Sequence, residues 1–300
     1  MHASTSQVSA RSHIQTRSAE VLQGDLCPIS VEHGSLFLGD IVVPRIIWCG
    51  RMACMGKVDC DIRIGTSGWY YDHWKELFYP AGLPKSKWFE HYAQHFDTVE
   101  INNTFYHLPK EQTIQRWHAI APQGFLYAVK ANRYITHIER LKDASEPLGR
   151  FFERVGLLKN TLGPILYQLP PSLHKDLDLL ASFIKLLPKK KTAVFEFRHQ
   201  SWYEDDTFEL LSKLGVGFCI HDMPGKESPR VVTGETIYIR FHGTTGRYAG
   251  SYPKSALGKW SEWLKDHSKK LRAIYAYFNN DIDGHAIKNA MQLRKLMNIS

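Results

Sequence analysis

The stretch Thr98-Val99-Glu100-Ile101-Asn102 decides the fold class. Thr, Val and Ile favour strands, and the run is apolar except at Glu100 and Asn102. Those two share parity, so in a strand they point to one face while Val99 and Ile101 point to the other. A strand buried on both faces normally reads as continuous Val, Ile and Leu, and a charge inside it is costly unless paired. A buried strand that carries a carboxylate near its C-terminal end therefore suits a parallel barrel whose strand ends build a site.

The same design recurs along the chain. Strand-like runs are expected at Ile62–Thr66, Phe125–Lys130, Ile165–Leu169, Ala193–Arg198, Gly217–His221, Thr236–Phe241 and Arg272–Phe278. Helical segments are expected between them, at Lys87–Phe96, Glu111–Ala121, Pro147–Lys159, Lys175–Leu187, Glu204–Leu214 and Pro253–Lys270, with Gly284–Met297 last. Between Pro224 and Glu235 no helical pattern is evident. Eight strands alternating with helices over residues 61–300 predict an α/β fold, a single-domain (β/α)8 TIM-type barrel. An open doubly wound sheet is the alternative, weakened because no G-x-G-x-x-G turn follows the first strand.

Residues 1–60 have no clear period and are expected to be an irregular extension. They are read either as disordered or as lying upstream of a true start at Met52 or Met55, with a targeting or partner-binding tail as the alternative. Four of the five cysteines fall there, and Cys219 alone lies in the barrel segment, so no disulfide is expected within it. No apolar run approaches the ~20 residues of a membrane helix, and no secretory signal is evident, so a cytoplasmic protein without membrane contact is expected. The formal net charge is +8. Five basic and five acidic residues cancel within residues 1–60, leaving the whole excess on the barrel segment. That favours a small anionic or polar ligand, with nucleic acid as a second partner class.

Active sites of such barrels form at the C-terminal strand ends. There the sequence places Glu100, Asn102, Lys130, Gln168, Glu196, Arg198, Arg240, His242 and Asn279. Glu196 shares parity with Arg198, and Arg240 with His242. Glu100 and Glu196 are read as acid/base carboxylates, and Lys130 as a third catalytic candidate, able to form a Schiff base if its pKa is depressed. Arg198 and Arg240 suit a carboxylate or phosphate. Asn102, Tyr106, Gln168, His242, Asn279 and Trp69 complete the expected binding set, and loop residues His107 and His137 could act as acids. The contrary reading is a buried ion network that only fills the barrel top. His199, His221 and His242 with Glu196 could hold a metal, but they lack any close ligand pair, so a metal is possible without being indicated and no cofactor is expected. Aromatic residues crowd the same loops, from Trp69 to Tyr252, either as stacking platforms or as packing.

These strand ends also resemble the DUF72 (YecE-like) family. The resemblance rests on Gly65-Thr66-Ser67-Gly68-Trp69, Phe78-Tyr79-Pro80, Thr98-Val99-Glu100-Ile101-Asn102 with Thr104-Phe105-Tyr106, and Val129-Lys130-Ala131. It continues through Ile135-Thr136-His137, Gln168-Leu169-Pro170-Pro171, Glu196-Phe197-Arg198-His199, Arg240-Phe241-His242-Gly243 and Tyr277-Phe278-Asn279-Asn280-Asp281. It implies a TIM-type barrel, similar in kind to the sugar isomerase and apurinic endonuclease group. Those enzymes hold metals with several His, Asp and Glu ligands, a set this sequence does not show, so their activity is not carried over. The expected function is enzymatic, on a small anionic or sugar-like substrate; the alternatives are a nucleic-acid-binding or processing barrel and a non-catalytic scaffold.

Overall fold

A computed structural model describes residues 59–246 and 248–299 of the chain. The expectations for residues 1–58 lie outside the described residues. The eight expected runs form parallel strands: β1 Asp61–Thr66, β2 Thr98–Ile101, β3 Leu126–Lys130, β4 Leu162–Gln168, β5 Ala193–Glu196, β6 Gly217–Asp222, β7 Thr236–Phe241 and β8 Ala273–Phe278. They pair in chain order, and β1 pairs with β8 to close a barrel. The fold is thus the (β/α)8 barrel read from the strand pattern.

Two apolar layers follow from strand parity. Side chains of one parity (Ala128, Leu166, Val194, Cys219, Tyr238, Tyr275 and Tyr277) fill the barrel interior. The other parity packs outward: Val99, Ile101, Val129, Ile165, Phe195, Ile220, Ile237, Ile239 and Phe241 meet the surrounding helices. Those helices are α1 Trp88–Ala93, α2 Asn103–Tyr106, α3 Glu111–Ile120, α4 Ser145–Val155, α5 Leu177–Lys185, α6 Asp205–Lys213, α7 Lys254–Ser268 and α8 His285–Leu296. Each long helix buries one stripe, as with Leu148, Phe151 and Val155 of α4. Asp176 caps α5, its side chain accepting from Leu179 N at 2.9 Å.

Residues 223–235 contain no helix, in line with their pattern. Other boundaries moved. The expected helix Pro147–Lys159 ends at Val155 and tightens into a 3-10 turn over Gly156–Thr161, where Lys159 adopts φ 51°. Two elements near the mouth were not expected: the single-turn α2, and a π turn at Tyr134–Ile138. The β1–β2 seam has one paired position, Thr66 with Val99. Tyr92 of α1 bridges it, its hydroxyl bonding to Thr66 N (3.1 Å), Thr66 Oγ1 (2.9 Å) and Thr98 O (3.0 Å). No helix among the described residues is long and apolar enough to cross a membrane.

Candidate functional site

The inward-facing positions change character toward the C-terminal strand ends. Above the apolar layer lies a buried charged floor. Arg240 on β7 is 2% exposed and spans two carboxylates that are fully buried. Its Nε and Nη2 donate to Glu100 at 2.9 and 2.8 Å, and its Nη1 to Glu196 Oε2 at 2.9 Å. Glu100 also accepts from Ser67 Oγ (2.7 Å), Asn102 Nδ2 (3.0 Å) and the Tyr238 hydroxyl (2.6 Å). Glu196 pairs through its other oxygen with Arg198. Burial alone would raise both carboxyl pKa values. The guanidiniums of Arg240 and, for Glu196, Arg198 more than offset it and hold both below the ordinary range. The ion network foreseen as the contrary reading is therefore realised for these four residues. Glu100, its lone pairs filled, has no vacancy for a substrate proton.

His242 completes the floor. It is 1% exposed, contacting Arg198 Nη2 through Nε2 (3.1 Å) and the Asn279 amide through Nδ1 (3.3 Å). An arginine only donates, so Nε2 is the acceptor and the proton sits on Nδ1. The Asn279 group facing it then has to be the oxygen. Burial, reinforced by Arg240, pushes the His242 pKa well down and keeps the ring neutral. His221 is likewise lowered, to about 4, chiefly by burial.

Above the floor opens a cavity of about 460 Å³. Its lining includes Lys130, Arg133, Arg198, Lys226, His137 and Gln168, with Phe105, Tyr106, Pro171, Met223 and Tyr248. Four of these are cationic residue types, and among the described residues none lining it is a carboxylate. Lys130 is 9% exposed. Its Nζ lies 4.1 Å from the Phe105 ring centroid. Burial first, then the Arg240 charge, lower its pKa from 10.5 to about 7. Helix α2 fixes this corner: Thr104 Oγ1 donates to Lys130 O (2.7 Å) and Asn132 Nδ2 to Thr104 O (2.8 Å). The π turn carries His137 edge-on to Phe105, centroids 4.8 Å apart. Burial, with Lys130 and Arg133 nearby, lowers the His137 pKa to about 4.

The expected site residues thus divide by depth. Lys130, Tyr106, Gln168 and Arg198 reach the cavity. Glu100, Glu196, Arg240, Asn102, His242 and Asn279 belong to the hydrogen-bonded layer beneath or beside it. Trp69 does neither. Gly68 has φ 101°, which turns the chain out of strand parity. The Trp69 ring consequently packs outside the barrel on Phe89 and Trp117, with centroids 5.4 and 5.7 Å away. His107 also lies away from this cavity, in a neighbouring cleft with Tyr106, Arg133, Tyr134 and Arg150. His199 stacks on His174 and bonds to Ser201; it lines a neighbouring cleft with His221, away from the cavity over the floor. Of the crowded aromatics, Trp74, Trp202 and Tyr252 are buried packing, whereas Tyr70 and Tyr106 are more than half exposed.

Some residues escaped the sequence reading. Tyr238 shares parity with Arg240 and could have been found by that rule. Lys226 and Tyr248 come from loops and Arg133 caps the π turn, places where strand parity gives no direction. Tyr248 is held at φ 67° in the loop after β7, its N–H bonded to His242 O at 2.8 Å.

Fold and mouth together define a (β/α)8 barrel protein with a cationic cavity over a buried, charge-paired floor. The chain belongs to the DUF72 family: the model of that family, described as a protein of unknown function, matches residues 63–300. The UPF0759 protein YunF of Bacillus subtilis is 27% identical over 272 residues, covering 79% of this chain and 95% of that protein. A DUF72 family protein of Thermotoga maritima, known by crystal structure, is 28% identical with a TM-score of 0.73, covering 79% of this chain and 99% of that one. A DUF72 family structure from Enterococcus faecalis, 21% identical with a TM-score of 0.70 over 80% of this chain and 96% of its own, shares the fold.

Proposed function

We propose that this barrel is an enzyme whose mouth binds a small anionic substrate, one bearing a carboxylate or phosphate. The observation that carries the reading is the cavity lining: Lys130, Arg133, Arg198 and Lys226 surround it without a carboxylate among them. Arg198 is matched by Glu196, but Arg133 and Lys226 carry no ion pair among the described residues, and such cationic walls favour an anion and raise its local concentration. In this reading Glu100 and Glu196 hold Arg240 and Arg198 in place rather than transfer protons. Arg198, braced by Glu196 and His242, presents its guanidinium as the anion clamp. Gln168 orients the polar remainder of the substrate.

The test is calorimetric titration of the full chain with inorganic phosphate and with pyruvate, alongside Arg133→Gln/Lys226→Gln. Both side chains are exposed, so the double variant should keep its fold. Losing two charge contacts should weaken binding about 10- to 100-fold. Equal affinity for wild type and double variant would sink the reading.

A second reading, binding of single-stranded nucleic acid, has one observation in its favour. Tyr106 is shared between the mouth and a neighbouring cleft of about 660 Å³ that also holds Tyr134, Arg133 and Arg150, a stacking-plus-charge arrangement. Its mark would be oligonucleotide affinity that falls steeply with salt and is lost in Tyr106→Ala.

A further inference from the structure

The charges at the barrel mouth do not treat Lys130 as they treat its neighbours. Arg240 and Arg198 are matched by Glu100 and Glu196, two guanidiniums against two carboxylates. The floor is therefore neutral, and an ammonium at Lys130 would be a fifth, unmatched charge in a buried place. Among the described residues no ion pair or side-chain hydrogen bond engages its Nζ, which lies against the apolar face of Phe105 and borders the open cavity. A lysine serving only as a counter-ion would be paired; one serving only as a clamp would gain from staying hydrated and charged. This placement instead suits an amine nucleophile, desolvated and beside other cationic groups.

We propose that Lys130 forms an imine with the carbonyl carbon of a small anionic aldehyde or ketone, either a 2-oxo acid or a phosphorylated carbonyl compound. This rests on the anion-binding reading above, because Arg133, Arg198 and Lys226 would hold the acid group. The uncharged Nζ donates its lone pair to the carbonyl carbon, making the C–N bond while the carbonyl π pair moves to oxygen. That oxygen collects the two protons the nitrogen gives up and leaves as water, so amine plus carbonyl becomes imine plus water with no other reactant. Protonated again on nitrogen, the imine draws electrons from the bond next to the former carbonyl carbon. That step prepares C–C cleavage or proton loss there. The low basicity of the neutral amine, whose pKa lies at about 7, keeps a nucleophilic fraction present near neutrality.

The experiment incubates the full chain at pH 7 with pyruvate in one arm and dihydroxyacetone phosphate in the other. Sodium borohydride then converts any imine to a stable secondary amine, and the modified lysine is located by peptide mass spectrometry. Lys130→Met and Lys226→Gln run in parallel, with circular dichroism to confirm folding. The expected result is one adduct per chain, on Lys130, in at least one arm. It should persist in Lys226→Gln at higher probe concentration and be absent in Lys130→Met. Which arm labels distinguishes a carboxylate from a phosphate substrate. Labelling spread over surface lysines without preference for Lys130 overturns the proposal. Calorimetric binding of the probe without an adduct at Lys130 also overturns it, while sparing the anion-binding reading. No binding of either probe overturns both.

Discussion

Replacing Lys130 with methionine should make the protein more stable at neutral pH, although it removes a residue at the centre of the proposed site. The fall of its pKa from 10.5 to about 7 corresponds to ~5 kcal/mol of preference for the uncharged amine in the folded state. In the unfolded chain the lysine is protonated at pH 7, so folding has to overcome most of that preference, about 4 kcal/mol. Methionine keeps an unbranched apolar stem and needs no charge solvated. It gives up the contact over Phe105, worth ~1 kcal/mol. A net gain of roughly 2–3 kcal/mol follows, or ~5–10 °C in Tm for a domain this size. The direction with pH is fixed by the lowered pKa of a base. The destabilisation is fully present below about pH 7 and is relieved as pH rises toward 10.5, where both states hold the neutral amine. Thermal melts of wild type and Lys130→Met at intervals from pH 6 to 10 would measure this, with the variant's advantage shrinking as pH rises. A variant that is less stable at pH 7, or whose advantage grows with pH, would show that the Lys130 ammonium is well solvated or paired and would refute the reasoning.

Two further perturbations probe the floor and the rim. Arg240→Met leaves Glu100 and Glu196 buried without their shared partner, which should cost ~3–5 kcal/mol in urea unfolding. Adding Glu100→Gln to that variant should recover part of the loss, and a loss below about 1 kcal/mol would mean the carboxylates are not ionised. At Gly243, φ is 104° and a Cβ would lie 2.0 Å from Ala249 O, so Gly243→Ala should cost at least ~2–3 kcal/mol. It should also weaken anion binding through displacement of Tyr248; an unchanged Tm would show that the loop yields freely.

The barrel was legible because its strands carry two independent signals. Outward positions such as Val99, Ile101, Ile237 and Ile239 are β-branched or large and apolar, and inward positions near the C-terminal strand ends carry the charged pairs Glu196 with Arg198 and Arg240 with Glu100. Parity also grouped Glu196 with Arg198 and Arg240 with His242 correctly. What parity cannot give is depth. Strands in a closed barrel tilt and stagger, so the height of a residue is set by inter-strand register. Glu100 aligns with Ala128, one inward step below Lys130. That offset puts Glu100 in the floor under the Lys130 wall, and it is invisible in a list of strand ends. Beyond the last ladder bond parity lapses altogether. That is why Trp69, following a glycine at positive φ, was placed in the mouth although it packs outside. The single turn of α2 and the π turn were missed because they are too short to show a period.

A buried cluster of two carboxylates and two guanidiniums is a poor way to stabilise a barrel top, since apolar residues of like volume usually do as well or better. Its presence calls for another reason, and the mouth supplies one. Arg198 lines the cavity while pairing with Glu196 and contacting His242, and the charges of Arg198 and then Arg240 keep Glu196 ionised. The paired charges cancel within the floor, so the field in the cavity is set by the groups that line it. Lys130 sits above a neutral layer, close enough to Arg240 to be driven toward its uncharged form. Were Glu100 or Glu196 free of its arginine, it would instead stabilise the ammonium and silence the amine as a nucleophile. The same bonds that tie both glutamates to arginines are therefore the ones that leave Lys130 without a carboxylate partner, as the proposed imine chemistry requires.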